Sequence, residues 1–326
     1  MGDTVIGRVR ADIAELTMYT DRRAGSNGHA AARAWACDRM SLLGLEPFTG
    51  LQYDVHYTEQ GSDFANFVGI APAASESTAD PQPVVLGAHY DTVPGSPGAD
   101  DNAASLAVVA EVAARLMREP AERPVVVAIF DAEEPPYFHT RAMGSSRLVA
   151  DHLRQGVHSA VILDLVAHAV PLEGLERLVA LMGAESHPAW AETVLSVADG
   201  PLPVLTVPNQ IMPDMSDHHA FRLAGSPYLF VTCGQGPHYH RHTDTLANLD
   251  LEKVVLVTDL VEALVRGAAA TPFGGAQLHD SSELDYRLLK RAVSDEALAY
   301  FGVRSSGDVM RGLAGLVGLM QDNRSR

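Results

Sequence analysis

The chain has 326 residues, 47% of them hydrophobic, which is enough apolar material for one large domain or two small ones. Its 41 acidic side chains against 24 Lys and Arg leave a formal charge of −17, which argues against nucleic acid as a partner, because phosphate recognition needs clustered cations. No run of about 20 apolar residues appears, so no membrane span is expected.

The start, MGDTVIGRVRADIAEL, is charged and lacks the apolar stretch of a signal peptide. Cys37 and Cys233 lie far apart and form no staple framework. A soluble, cytoplasmic protein in a reducing compartment is the expectation. An acidic, solubilising surface accounts for the charge, and part of the excess would vanish if several carboxylates bound metal.

Along the chain, Ala32, Ala36, Met40 and Leu43 recur at helical spacing within 28–43, and Gly44 stops that helix. A polar, Pro-bearing loop at 71–83 leads into VVLGAHYD (84–91), a short apolar run bounded by turn signals. Such runs fit buried parallel strands. A helix follows at 103–116, with Ala103, Leu106, Val109, Ala110, Ala113 and Leu116 on one stripe. Further runs come at VVVAIFDAEE (125–134), AVILDLV (160–166), LTV (205–207) and PYLFVT (227–232), with helices expected at 188–198 and 251–266. Strands alternating with helices predict a three-layer α/β/α sandwich around a mixed, largely parallel sheet. Ligand sites in such sheets gather at the carboxyl ends of the strands, and the polar residues of interest sit there. Past Pro272 a Gly-rich joint (FGGAQ, 273–277) precedes a charged helical tail and an amphipathic piece at 307–321.

Four clusters carry chemistry. In GAHYDTVPGSPGADDNAAS (87–105), His89 ends a strand, and Asp91 is placed to accept a hydrogen bond from the imidazole's far nitrogen, as metal-bound histidines require. Asp100-Asp101-Asn102 opens a helix, where acids are also favourable through the helix dipole. In FDAEEPPYF (130–138), two adjacent glutamates follow a buried strand. Two like charges in a closed site repel, and a cation beside one resolves the conflict and leaves the other as a base. Asp164 ends an otherwise apolar strand and needs a cation or several donors. The last cluster is SDHHAF (216–221) with PHYHRHTDTLANLD (237–250). On an extended segment, His238, His240 and His242 would share one face.

The order His, Asp, Glu-Glu, Asp, His, with the words HYD, GADDNAAS, EE, SDHHAF and HYHRHTDTLANLD, resembles the M28 family of zinc aminopeptidases from about Arg23 to Val265. RRAGSNG (22–28) and NFVGI (66–70) are its weaker early words. The resemblance implies the phosphorylase/hydrolase-like zinc exopeptidase fold and two Zn2+ ions. His89 and Asp164 would serve one ion, Glu134 and His240 the other, and Asp101 would bridge them, with a cis peptide at the Asp101–Asn102 step. Glu133 would be the general base and Tyr239 a donor to the oxyanion. Asp91 and Asp217 would support the ligands from behind. The change of character past Pro272 predicts a catalytic domain over 1–272 and a helical extension, 273–326, that exceeds the family's usual domain and packs on it, lids it or serves self-association into a homo-oligomer.

The substrate expected is a peptide or small amide. Between Glu134 and Gly144 the chain reads PPYFHTRAM, longer than in common relatives, and this loop is expected to modify specificity. The M20 zinc carboxypeptidases share a His-x-Asp and a Glu-Glu word but insert a whole domain where only the interval 164–240 is present here. A glutaminyl cyclase-like single-zinc acyltransferase, a specialised small-molecule amidohydrolase and a non-catalytic family member are the alternatives. HExxH and GxSxG are both absent.

Overall fold

The computed structural model of the chain describes residues 4–59, 61–75 and 82–323. In order, the elements are α1 (Val5–Leu16), α2 (Asn27–Leu43), β1 (Glu46–Pro47), β2 (Asp54–Glu59), β3 (Ser62–Ala71), β4 (Val84–His89), α3 (Ala104–Arg118), β5 (Val125–Phe130), α4 (Gly144–His152) and β6 (Ser159–Leu163). There follow β7 (Val179–Met182), α5 (Trp190–Val197), β8 (Val204–Val207), α6 (His218–Leu223), β9 (Tyr228–Thr232), α7 (Leu251–Ala270), α8 (Ser282–Ala292), α9 (Asp295–Tyr300) and α10 (Val309–Asn323). The middle of the loop expected at 71–83, residues 76–81, lies outside the described residues.

The strands form one nine-stranded sheet in the order β1-β3-β5-β4-β6-β9-β7-β8, with β2 paired to β3. Its centre, β5-β4-β6-β9, is parallel. Strand β3 and the β7–β8 pair run antiparallel to their neighbours in that centre, and β2 pairs antiparallel to β3 in a hairpin. Side chains alternate across the pleat, so each central strand feeds two cores. Val84, Leu86 and Ala88 join the cluster under α1, α3 and α7, whereas Val85, Ala128, Phe130 and Ile162 join the one under α4 and α6. Burial on both faces is why these strands read as unbroken apolar runs. The three-layer sandwich expected from the sequence is the architecture found.

Helix α2 is bounded as its sequence suggests: the Ser26 hydroxyl accepts from the His29 amide, and Gly44, at φ 73°, ends it in the left-handed conformation. The C-terminal segment is tied down by its backbone first. The amides of Ala276 and Gln277 donate to the carbonyls of Gly225 and Ser186. On α8, the buried Asp285 accepts from Thr206 of β8 and from Ser281. Leu284, Leu288, Leu313 and Leu316 lie in the same apolar cluster as the sheet, so the amphipathic stripes of α8 and α10 are used within the chain. Both cysteines are free thiols, and no helix among the described residues is long and apolar enough to cross a membrane.

Candidate metal centre

The four parallel strands all end toward the same side of the sheet, and the chemistry collects there. His89 is the last residue of β4, Glu133 and Glu134 follow β5, Asp164 directly follows β6, and the loop after β9 carries Tyr239 and His240. Asp101 comes from the irregular turn Ala99–Ala103, whose Asp101–Asn102 peptide is cis.

Two groups of ligand-type atoms result, each within 4.8 Å of one another: His89, Asp101 and Asp164 in one, Asp101, Glu134 and His240 in the other. Nε2 of His89 lies 3.4 Å from Asp101 and 3.6 Å from Asp164. That of His240 lies 3.3 Å from Asp101 and 3.0 Å from Glu134. Asp101 belongs to both groups.

The residues fit cations on two counts. First, Nε2 of His89, Oδ2 of Asp101, Oε1 of Glu134, Oδ1 of Asp164 and Nε2 of His240 are buried atoms without a hydrogen-bond partner. Buried polar atoms are normally satisfied, and these five surround one space. Second, the site is short of positive charge. Burial pushes Glu134 up to about 8, helped by the neighbouring Asp101, and pushes Glu133 and Asp164 up as well. Burial disfavours a charged His240, yet the close carboxylates of Asp101 and Glu134 draw it up to about 10. His89 is raised likewise against its burial, by Glu133 and Asp164. Protons are held where positive charge is wanted, and a metal ion supplies it without them.

The surrounding shell shows what each nearby acid does. Asp100 accepts from His168 Nδ1 at 2.7 Å and from the Ala167 amide at 2.8 Å, so it faces away from the cluster. Asp244 accepts the amides of Asp100 and Asp101 and fixes the turn that presents them. The Asp91 carboxylate sits 3.4 Å from His89 Nδ1, whose closer acceptor at 3.1 Å is the Asp91 carbonyl. Its two oxygens accept the amides of Glu133 and Glu134, one each at 3.0 Å, so Asp91 chiefly holds the glutamate pair. Asp217 is fully buried, and burial pushes it up to about 7.

The three alternating histidines do not share a face. Residues 237–240 form a turn rather than an extended segment, and His240 has a left-handed φ of 58°. His238 bonds Thr243 Oγ1, and His242 is exposed. Tyr239 stacks on His240 with ring centroids 3.7 Å apart and lines the cleft with Asp101, Glu133, Glu134 and Asp164. Burial and the surrounding acids hold its phenol far above the ordinary range, so it stays a donor.

Among the described residues that line this cleft, none belongs to the loop 135–143. His139 of that loop meets Asp214 and His219 in a third group of ligand-type atoms. There Asp214 already accepts from Arg222, and the two imidazoles stack 4.0 Å apart, so their in-plane lone pairs cannot converge on one ion.

Arg22, which opens the word RRAGSNG but carries no role in the sequence, is fully buried and donates to the carbonyls of Tyr90, Pro97 and Gly98, bracing the loop between His89 and Asp101. A charged residue in a polar stretch gives no local sign of such burial.

Comparison with known proteins gives a consistent picture. The family model described as Peptidase family M28 matches residues 66–265. Aminopeptidase YwaD of Bacillus subtilis is 28% identical over 218 residues, which cover 64% of this chain and 45% of that protein. The chain thus spans less than half the length of that relative. Among solved structures, LapB from Legionella pneumophila superposes with a TM-score of 0.64 at 21% identity, covering 81% of this chain and 72% of LapB. Tannerella forsythia glutaminyl cyclase does so with a TM-score of 0.62 at 17% identity, covering 80% and 98%. At these identities the superpositions speak to the fold alone.

Proposed function

The chain belongs to peptidase family M28, and from that premise we propose that it is a two-zinc aminopeptidase that hydrolyses the N-terminal peptide bond of its substrate. The observation that carries the proposal is the pair of ligand groups sharing Asp101, with Glu133 beside them and outside both. In this reading His89 and Asp164 hold one ion, Glu134 and His240 the other, and Asp101 both.

Bound there, two cations would lower the pKa of a shared water and polarise the substrate carbonyl. Glu133 takes the proton released as water adds to the carbonyl carbon, and delivers it to the amide nitrogen as the C–N bond breaks. One water is consumed, and an amino acid and a shortened peptide result. Burial raises Glu133, the direction that strengthens it as a proton acceptor. Tyr239 donates to the oxygen that gains charge. Asp91 and Asp244 keep the ligand loops in place through backbone amides. The surplus of carboxylates favours a protonated amine at the rim of the cleft, which restricts cleavage to free N-termini.

A cyclase shares the fold but needs one metal and no activated water. Two ligand groups around a common carboxylate favour hydrolysis. The test is metal analysis joined to assays on leucine p-nitroanilide and its N-acetyl derivative. Two zinc ions per chain and cleavage of the free amine alone are expected. Equal cleavage of both substrates would remove the amine-anchored version, and one zinc with no hydrolysis would remove the peptidase.

A further inference from the structure

Asp101 belongs to both ligand groups, and the turn that carries it faces two other ligand segments. One follows β6 and carries Asp164; the other is the loop after β9, with His240. A single side chain outside the ligand set touches all three. His168 lies just beyond Asp164 in the chain and is buried. Its Nδ1 donates to Asp100 Oδ2 at 2.7 Å, and the other oxygen of Asp100 accepts the Ala167 amide at 2.8 Å. The acid next to Asp101 is thereby clamped to the segment that carries Asp164.

The same ring meets the third segment. A Cβ at Gly236 would lie 2.8 Å from His168 Cγ and 2.9 Å from its Cδ2, so the loop rests there because that residue has no side chain. The Gly236 carbonyl accepts the Tyr239 amide at 3.2 Å, which puts the contact at the start of the turn that presents Tyr239 and His240. Nε2 of His168 is buried with no hydrogen-bond partner among the described residues, so beyond Asp100 the ring acts by contact.

The base of the ring is held from below. The His168 carbonyl accepts from Nζ of Lys253 at 2.7 Å, a fully buried lysine in the first turn of α7. The Ala167 carbonyl accepts the Asp250 amide at 3.0 Å. A charged donor makes such a bond strong. Asp244 already holds the Asp101 turn to the His240 loop through backbone amides, and His168 adds the Asp164 segment to that pair.

We propose that His168 is a positioning residue that sets the two metal sites against each other. Through Asp100 it fixes Asp101 relative to Asp164, and through Gly236 it fixes His240 relative to both. The role rests on the two-ion reading of the centre, and His168 itself touches neither ion nor substrate.

Substitution separates the two contacts. His168→Phe keeps a ring beneath Gly236 and removes the donor to Asp100. His168→Asn keeps a donor near the place of Nδ1 and removes most of the ring. Gly236→Ala leaves His168 and its bond intact and pushes the loop off the ring. Zinc is titrated into each metal-free protein by calorimetry against a competing chelator, and the unaltered chain should bind two equivalents. His168→Phe should weaken both sites, because Asp101 serves both. The other two should weaken only the site of Glu134 and His240. The size expected is about 10–100-fold in affinity, the usual cost of losing a group that orients a ligand. In a His240→Ala background the site of His89 stands alone. There Gly236→Ala and His168→Asn should change nothing, whereas His168→Phe should still weaken binding. Cobalt(II) in place of zinc reads ligand geometry directly, and its visible bands should shift in all three variants.

Gly236→Ala carries the test alone if a His168 variant fails to fold. Affinities and cobalt bands that match the unaltered protein overturn the role even where thermal midpoints fall, because a lost midpoint is all that a merely structural residue gives. Equal weakening of both sites by every variant overturns it too, since that reports general loosening. Fewer than two equivalents in the unaltered chain removes the two-ion reading instead, and this role with it.

Discussion

Asp100 and Asp101 are neighbours with the same side chain, and everything that separates them is nonlocal. The partner that claims Asp100 is His168, and the groups that face Asp101 are His89 and His240. No spacing rule brings those together, so family register alone could favour one acid over the other. His89, Glu134 and Asp164 are easier to read, because each follows an apolar run that becomes a strand of the parallel centre. The same logic left Asp91 half understood: its position beside His89 is legible, but its hold on the amides of Glu133 and Glu134 needs the sheet to bring β4 and β5 together. Those amides also place Glu133 independently of its own carboxylate. Glu133→Gln should therefore keep the zinc content of the unaltered protein and lose about 10²–10⁴ in kcat. Emission spectroscopy and steady-state rates read the two quantities, and full turnover would remove Glu133 as the base.

Elements differ in how plainly they announce themselves. The central strands are buried on both faces and written as continuous Val, Ile, Leu and Ala, whereas β2 (DVHYTE) alternates between buried and exposed positions and β7 is four residues long. Neither was anticipated, and the hairpin's β3 entered the reading only through the word NFVGI. The short α6 offers a test at this scale. Its first residue, His218, is fully buried with its ring stacked on Phe230 at 4.2 Å, and burial pushes it down to about 3. A base whose folded pKa lies below its unfolded value supports folding when neutral. That support is complete above about pH 6.5 and is lost as pH falls below it, by about 1.4 kcal/mol per unit. His218→Phe keeps the stack and removes the proton-binding site. In thermal unfolding from pH 7 to pH 5, the unaltered protein should lose more of its midpoint than the variant; parallel decline in both would sink this account.

At the scale of the whole molecule, part of the formal charge of −17 sits in acids buried at the strand ends. Carboxylates packed at strand ends repel one another until cations join them, so zinc should bind the folded chain far better than the unfolded one. Removal of zinc with a chelator should lower the thermal midpoint, and two equivalents of zinc should restore it; a midpoint indifferent to both would contradict the ligand assignment. The tail shows the limit of sequence reading at this scale. The stripe on 307–321 is visible as periodicity, but the surface it meets is assembled from β7, β8 and the loop after β9, far away along the chain. The proposed ligand positions have a similar reach. They run from residue 89 to residue 240 and come from five separate segments, in a chain whose two thiols are free. On the proposed assignment each ion is a reversible cross-link closing long loops of polypeptide, so the centre performs the loop-closing role that disulfides have in other chains, and can be undone by a chelator instead of a reductant.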